Sequence, residues 1–149
     1  MKCISVSQPF ADLIVSGAKR VELRRWSTRH RGELLVHAPL KVREDDCRRL
    51  GVEGPVTGAI VGRVRLVDVK RYADATEVRA DAALHLAGSG FWDNRYGFVL
   101  EKPVRFRTPV PWRGYPGIFE VNVAGRIGTD RLVSEIVEED HRYRWVGRH

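Results

Sequence analysis

Apolar and polar positions along the chain change period several times, and each change predicts an element. Cys3 to Ser7 alternates and predicts a short strand, after which Pro9 sits in the first turn of a helix, where a missing N–H is tolerated. Phe10, Leu13 and Ile14 follow at helical spacing, and Gly17 closes that helix of about two turns. Arg20 to Arg24 alternates strictly, so a strand there turns Val21 and Leu23 inward and displays Arg20, Glu22 and Arg24 together.

Leu34 to Ala38 is an apolar run ended by Pro39, a second buried strand, and Arg43 to Leu50 predicts a short helix. The turn-rich Gly51 to Gly58 leads into Ala59 to Val69, the longest β-branched stretch and the expected central strand, with Gly62 permitting a bulge or a close approach. Ala75 to Leu86 reads as one helix ended by Gly88-Ser89-Gly90. Tyr96 to Leu100 and Val104 to Phe106 read as two strands separated by Pro103, and the aromatic loop Trp112 to Gly117 precedes a last strand, Ile118 to Val123. Leu132, Val133, Ile136 and Val137 recur at helical spacing behind the capping residues Thr129 and Asp130 and predict a C-terminal helix docked on the same body.

Strands and short helices mixed in this order predict an α+β fold. At 149 residues, with 43% hydrophobic and 30% charged positions, the chain is expected to bury one core: a domain over 1–125, with a helix and tail over 126–149 packed on it. No apolar run is long enough for a signal peptide or a membrane span, so a cytoplasmic protein with no membrane partner is expected. Cys3 and Cys47 lie far apart, with no CxxC spacing and no companion histidine motif, so neither a disulfide nor a metal site is indicated, and no cofactor is implied.

Charge sharpens the picture. Lys and Arg number 26 against 19 Asp and Glu, a net charge of +7, which favours a polyanionic partner. From Lys19 to Arg31 stand six Lys and Arg residues and a single acid, Glu22. Such a segment is either a solvated basic strip or a binding surface. Lys19, Glu22 and Arg24 offer ammonium, carboxylate and guanidinium groups able to hold a phosphate and accept a base's exocyclic amine; alternatively they form a surface ion-pair ladder of little energetic weight. Trp26, Ser27, Thr28, Arg29 and Arg31 suit base stacking beside phosphate neutralisation, unless Trp26 simply packs over the end of the fold. Asn94 either reads a base edge or makes a turn, and Trp112 with Arg113 offers a further stacking wall or a core plug. His37, at a strand end, reads as a satisfied barrel histidine ahead of a general base.

Three ordered blocks, Ser5-Val6-Ser7-Gln8-Pro9-Phe10-Ala11, Gly17-Ala18-Lys19-Arg20-Val21-Glu22-Leu23-Arg24 and Arg31-Gly32-Glu33-Leu34-Leu35-Val36-His37-Ala38, carry a family resemblance. The chain resembles the ASCH domain (activating signal cointegrator homology) of the PUA-like superfamily, whose hallmark G-x-K-x-x-E-x-R is matched by Gly17, Lys19, Glu22 and Arg24. The resemblance is strongest from Ser5 to Ala38 and stops at Gly125. It implies a small PUA-like β-barrel with short peripheral helices and a cleft lined by the hallmark residues, often described as an RNA-binding surface.

The resemblance therefore implies a nucleic-acid binder, for RNA ahead of DNA, and the chain is expected to act as a monomer. Some bacterial relatives hydrolyse acetylcytidine with a lysine, a threonine nucleophile three residues later and a separate glutamate. Glu22 occupies that threonine position here, and other relatives are linked to ribonuclease activity, so a hydrolase of RNA or a modified nucleoside (amidohydrolase or ribonuclease) resting on Lys19 and Glu22 in the same cleft is the alternative rather than the first reading. A second alternative is a protein-interaction module of a transcription or translation assembly, with the basic cleft receiving an acidic peptide.

Overall fold

A computed structural model of the chain describes residues 1–122. The C-terminal helix expected over Thr129 to Asp140, and the tail after it, lie outside the described residues. Six strands form one sheet: β1 (Lys2–Ser5), β2 (Val21–Arg24), β3 (Gly32–Ala38), β4 (Ala59–Arg71), β5 (Tyr96–Pro111) and β6 (Ile118–Glu120), in the order β2-β5-β4-β3-β1-β6. Only β1 and β3 run parallel; the other neighbours are antiparallel. The helices are short: α1 (Phe10–Val15), α2 (Glu44–Leu50), α3 (Ala75–Ala80) and α4 (Ala82–His85), with one 3₁₀ turn at Ser89–Phe91. The architecture is α+β, a six-stranded sheet curled into a half-barrel.

The curl has a local cause. β4 and β5 pair over nearly their whole lengths, yet their register slips at three places, between Ile60 and Gly62, Arg63 and Arg65, and Leu66 and Asp68. Each slip inserts unpaired residues and bends the ribbon. The sequence reading placed a break at Pro103; instead β5 runs through it. Lys102 adopts φ 50° at one of these bulges, so the missing N–H of Pro103 falls where the ladder needs no donor. Close approach also requires glycine at Gly62, where a Cβ would lie 2.2 Å from the Val104 carbonyl and 2.6 Å from Val15 Cγ1.

Inside the curl, α1 lays Phe10, Ala11, Ile14 and Val15 against Leu34, Val36, Val64, Leu66, Phe98 and Leu100. A second cluster around Cys3, Leu35, Ile60, Phe106 and Val110 fills the opposite face, and a third joins β2 to the helices through Val21, Leu23, Tyr72, Val78 and Ala87. The single helix expected over Ala75 to Leu86 is two. Asp81 sits between α3 and α4, where its carboxylate accepts from Lys70 Nζ at 2.8 Å and from Tyr72 OH at 2.6 Å; tying Asp81 to β4 in this way interrupts the helix. Among the described residues no helix is long and apolar enough to cross a membrane.

Candidate functional site

The turn after α1 delivers the charged triplet. Lys19 N donates to the Leu13 carbonyl and Arg20 N to the Leu84 carbonyl, so the start of β2 is pinned between α1 and α4. β2 then lies along β5 with Glu22 opposite Phe98 and Arg24 opposite Tyr96. The display expected of an alternating strand does not result, because α1, α4 and the 3₁₀ turn roof the charged side. Lys19 is 2% exposed and Glu22 8%, so two members of the triplet are buried.

These three side chains form one linked group. Glu22 Oε1 stands 3.4 Å from Lys19 Nζ, and Glu22 Oε2 accepts from Arg24 Nε at 2.8 Å. Lys19 Nζ also donates to the His85 carbonyl at the end of α4 and lies 4.8 Å from the Phe10 ring centroid. Burial lowers the pKa of the Lys19 ammonium, opposed by the Glu22 carboxylate. Arg24 Nη2 donates to the Ser5 carbonyl at 2.7 Å. A guanidinium carries five N–H donors, so these two bonds leave three for a ligand.

The group lines a cavity of about 240 Å³ whose walls include Ser5, Ser7, Phe10, Arg43, Phe91 and Asn94. Phe10 and Phe91 meet edge to face at 5.7 Å, and the Arg43 guanidinium lies 4.5 Å from the Phe91 ring centroid while its Nε donates to Asp46. Arg43 and Phe91 were not anticipated as site residues. Arg43 stands at the start of the helix expected over Arg43 to Leu50, Phe91 follows the Gly88-Ser89-Gly90 turn, and no local pattern indicates that either lines a cavity with Lys19. Ser5, Ser7 and Phe10 sit in the first of the three family blocks, a signal that pointed to them without assigning them a role.

The other predicted site residues are distributed differently. Asn94 lies on the cavity wall, where its Oδ1 accepts from Arg25 Nε at 3.1 Å. Trp26 packs edge to face on Phe98 at 5.2 Å and carries the Arg24 guanidinium 5.8 Å from its ring, joining core and charged group rather than standing free. Ser27, Thr28, Arg29 and Arg31 lie outside the cavity wall. Thr28 Oγ1 accepts from His30 N, and Arg31 donates to the Thr28 and His30 carbonyls, which holds the loop in shape. Trp112 and Arg113 are not brought to Lys19; they border a separate cavity with Ser5 and His37.

Comparison with known proteins decides the family. The ASCH domain family model matches residues 4–125. The chain belongs to the ASCH domain family. Activating signal cointegrator 1 of Homo sapiens and of Mus musculus are each 31% identical over 134 residues, covering 80% of this chain. The chain spans only 22% of the length of either relative. Among solved structures, ASCH from Zymomonas mobilis superposes with a TM-score of 0.64 at 18% identity, covering 89% of this chain and 93% of that one. At that identity the likeness speaks for the fold alone, and it agrees with the curled sheet. Lys19, Glu22 and Arg24, three of the four residues of the G-x-K-x-x-E-x-R run, line the cavity, and Gly17 does not. Among the described residues, no group of three or more His, Cys, Asp or Glu is placed to hold a metal ion.

Proposed function

We propose that this ASCH domain binds single-stranded nucleic acid, RNA ahead of DNA, by taking one unstacked base into the Lys19–Glu22–Arg24 cavity. One observation carries the reading: a buried carboxylate, held between an ammonium and a guanidinium, faces a small cavity walled by Phe10 and Phe91 with Arg43 beside them. A volume of about 240 Å³ lies just under the range of drug-sized ligand sites, roughly 300 Å³ and upward, and so suits a single base. Glu22 accepts from an exocyclic amine, the free donors of Arg24 and the guanidinium of Arg43 meet phosphate, and an aromatic ring supplies a stacking face.

Fluorescence anisotropy with labelled single-stranded RNA and DNA tests it. Arg24→Ala and Arg43→Ala are each expected to weaken binding about tenfold or more, the worth of a hydrogen bond to a charged group. Unchanged affinity in both folded variants would remove the cavity from the binding site.

A second reading, hydrolysis of a modified nucleoside in the same cavity, is favoured by the burial-lowered Lys19 amine. Acetylcytidine turnover that Lys19→Met abolishes while nucleic-acid binding persists would favour it; no turnover would dismiss it.

A further inference from the structure

A second cavity, of about 700 Å³, opens on Ser5, the one residue it shares with the charged cavity. Its wall is largely apolar, with Pro39, Leu40, Trp112, Tyr115 and Pro116 alongside Ser5 and His37. Leu40 is 79% and Tyr115 49% exposed, so both stand at an open surface.

Ser5 and His37 are register partners on the parallel strands β1 and β3. The β3–β4 register shifts between Val36 and His37, and a shift of this kind re-aims the side chain beside it. The result is a short contact, 2.6 Å from Ser5 Oγ to His37 Nδ1. The other ring nitrogen, Nε2, lies 2.7 Å from the Trp112 carbonyl oxygen. A carbonyl only accepts, so the neutral ring carries its proton on Nε2, and Nδ1 is left as the lone pair that receives the Ser5 hydroxyl. His37 is 1% exposed, and burial lowers its pKa and favours the uncharged imidazole.

The backbone above this pair is equally constrained. A Cβ on Gly114 would lie 2.4 Å from Ser5 Oγ and 2.7 Å from His37 Nδ1. Glycine therefore lets the main chain pass in close contact with the hydroxyl and the ring, which holds the pair in place.

We propose that Ser5, His37 and the Trp112 carbonyl form a nucleophile, base and orienting acceptor that cleave uncharged carboxylic esters whose apolar acyl group occupies the second cavity. Ser5 Oγ attacks the ester carbonyl carbon while its proton passes to His37 Nδ1. The tetrahedral adduct then expels the alcohol, which takes that proton, leaving acyl-Ser5. Water attacks the acyl carbon and gives a proton to His37; collapse releases the carboxylic acid and returns the proton to Ser5 Oγ. The Trp112 carbonyl holds the tautomer and stabilises the imidazolium that forms in each half. This activity is independent of nucleic-acid binding, and failure of either leaves the other standing.

The test uses the full chain, an alkyl fluorophosphonate as probe, and peptide mapping by mass spectrometry. The expected result is one adduct, on Ser5, together with a nitrophenolate burst equal to the protein concentration on mixing with p-nitrophenyl butyrate. His37→Gln should slow labelling at least about a hundredfold, the lower end of what a positioned general base contributes. Leu40→Trp alters only an exposed side chain at the cavity and should slow labelling without touching the reacting pair. Absence of both adduct and turnover in the folded wild-type protein would overturn the proposal. So would an adduct on any other residue, or labelling that folded His37→Gln and Leu40→Trp both leave at the wild-type rate. Should His37→Gln fail to fold, the wild-type adduct position and Leu40→Trp decide.

Discussion

Glu22 serves two cations of unequal exposure, and that asymmetry governs what substitution costs. Lys19 is almost wholly buried, whereas the Arg24 side chain keeps 20% of its surface exposed. Removing the carboxylate leaves the buried ammonium unpaired, which costs roughly 3–5 kcal/mol in comparable cases. Glu22→Gln should therefore destabilise by about that much in urea unfolding. Lys19→Met leaves Glu22 with Arg24 and an apolar chain against Phe10, and should cost clearly less, roughly 1–3 kcal/mol. The reverse order would mean that Lys19 is seated by Phe10 and the His85 carbonyl rather than by Glu22. Tight packing sets another residue-scale limit: Gly62→Ala places a methyl group against the Val104 carbonyl and Val15, and overpacking of this kind costs roughly 1–3 kcal/mol.

Among the elements, β5 stores strain at its bulge. Lys102 holds φ 50° with its side chain exposed, a left-handed conformation that glycine adopts without a Cβ penalty. Lys102→Gly should raise stability by about 1 kcal/mol, read as an increase in Tm. The junction of α3 and α4 reports on pH. Hydrogen bonds from Lys70 and Tyr72 hold the Asp81 carboxyl below its ordinary range. A carboxyl so lowered binds its proton less readily in the folded chain than in the unfolded one. Its stabilising contribution is complete above the unfolded value, about 3.9, and fades as pH falls through the lower folded value. Asp81→Asn should thus flatten the acid limb of a stability–pH curve below about pH 4, with wild type and variant losing their difference there.

For the molecule as a whole, with a net charge of +7, the proposed nucleic-acid binding predicts that the logarithm of affinity falls linearly with the logarithm of salt concentration, because each phosphate neutralised releases counterions. Arg24→Ala should lower the magnitude of that slope by about one unit if Arg24 meets phosphate. An unchanged slope with weakened binding would assign Arg24 to the base instead. The basic loop Ser27 to Arg31 lies beside the cavity in sequence but off its wall, so Arg29→Ala should lower affinity less than Arg24→Ala. Competition titrations at two salt concentrations separate these cases.

Much of the fold was legible because periodicity records burial one strand at a time. Alternation at Cys3 to Ser7 and Arg20 to Arg24, and the apolar runs at Leu34 and Ala59, mark strands that the sheet contains, and the spacing of Phe10, Leu13 and Ile14 marks α1. The hallmark triplet was legible in the same way, as residues close along one short segment. What local spacing does not encode is what covers them. The His85 carbonyl reaches Lys19, and Phe91 and Arg43 reach the wall of its cavity, from distant parts of the chain, and they turn an apparently exposed charged face into a cavity. The continuity of β5 through Pro103 and the meeting of Ser5, His37 and Trp112 have the same origin. They depend on sheet register and bulges, which long-range pairing decides and no single segment specifies.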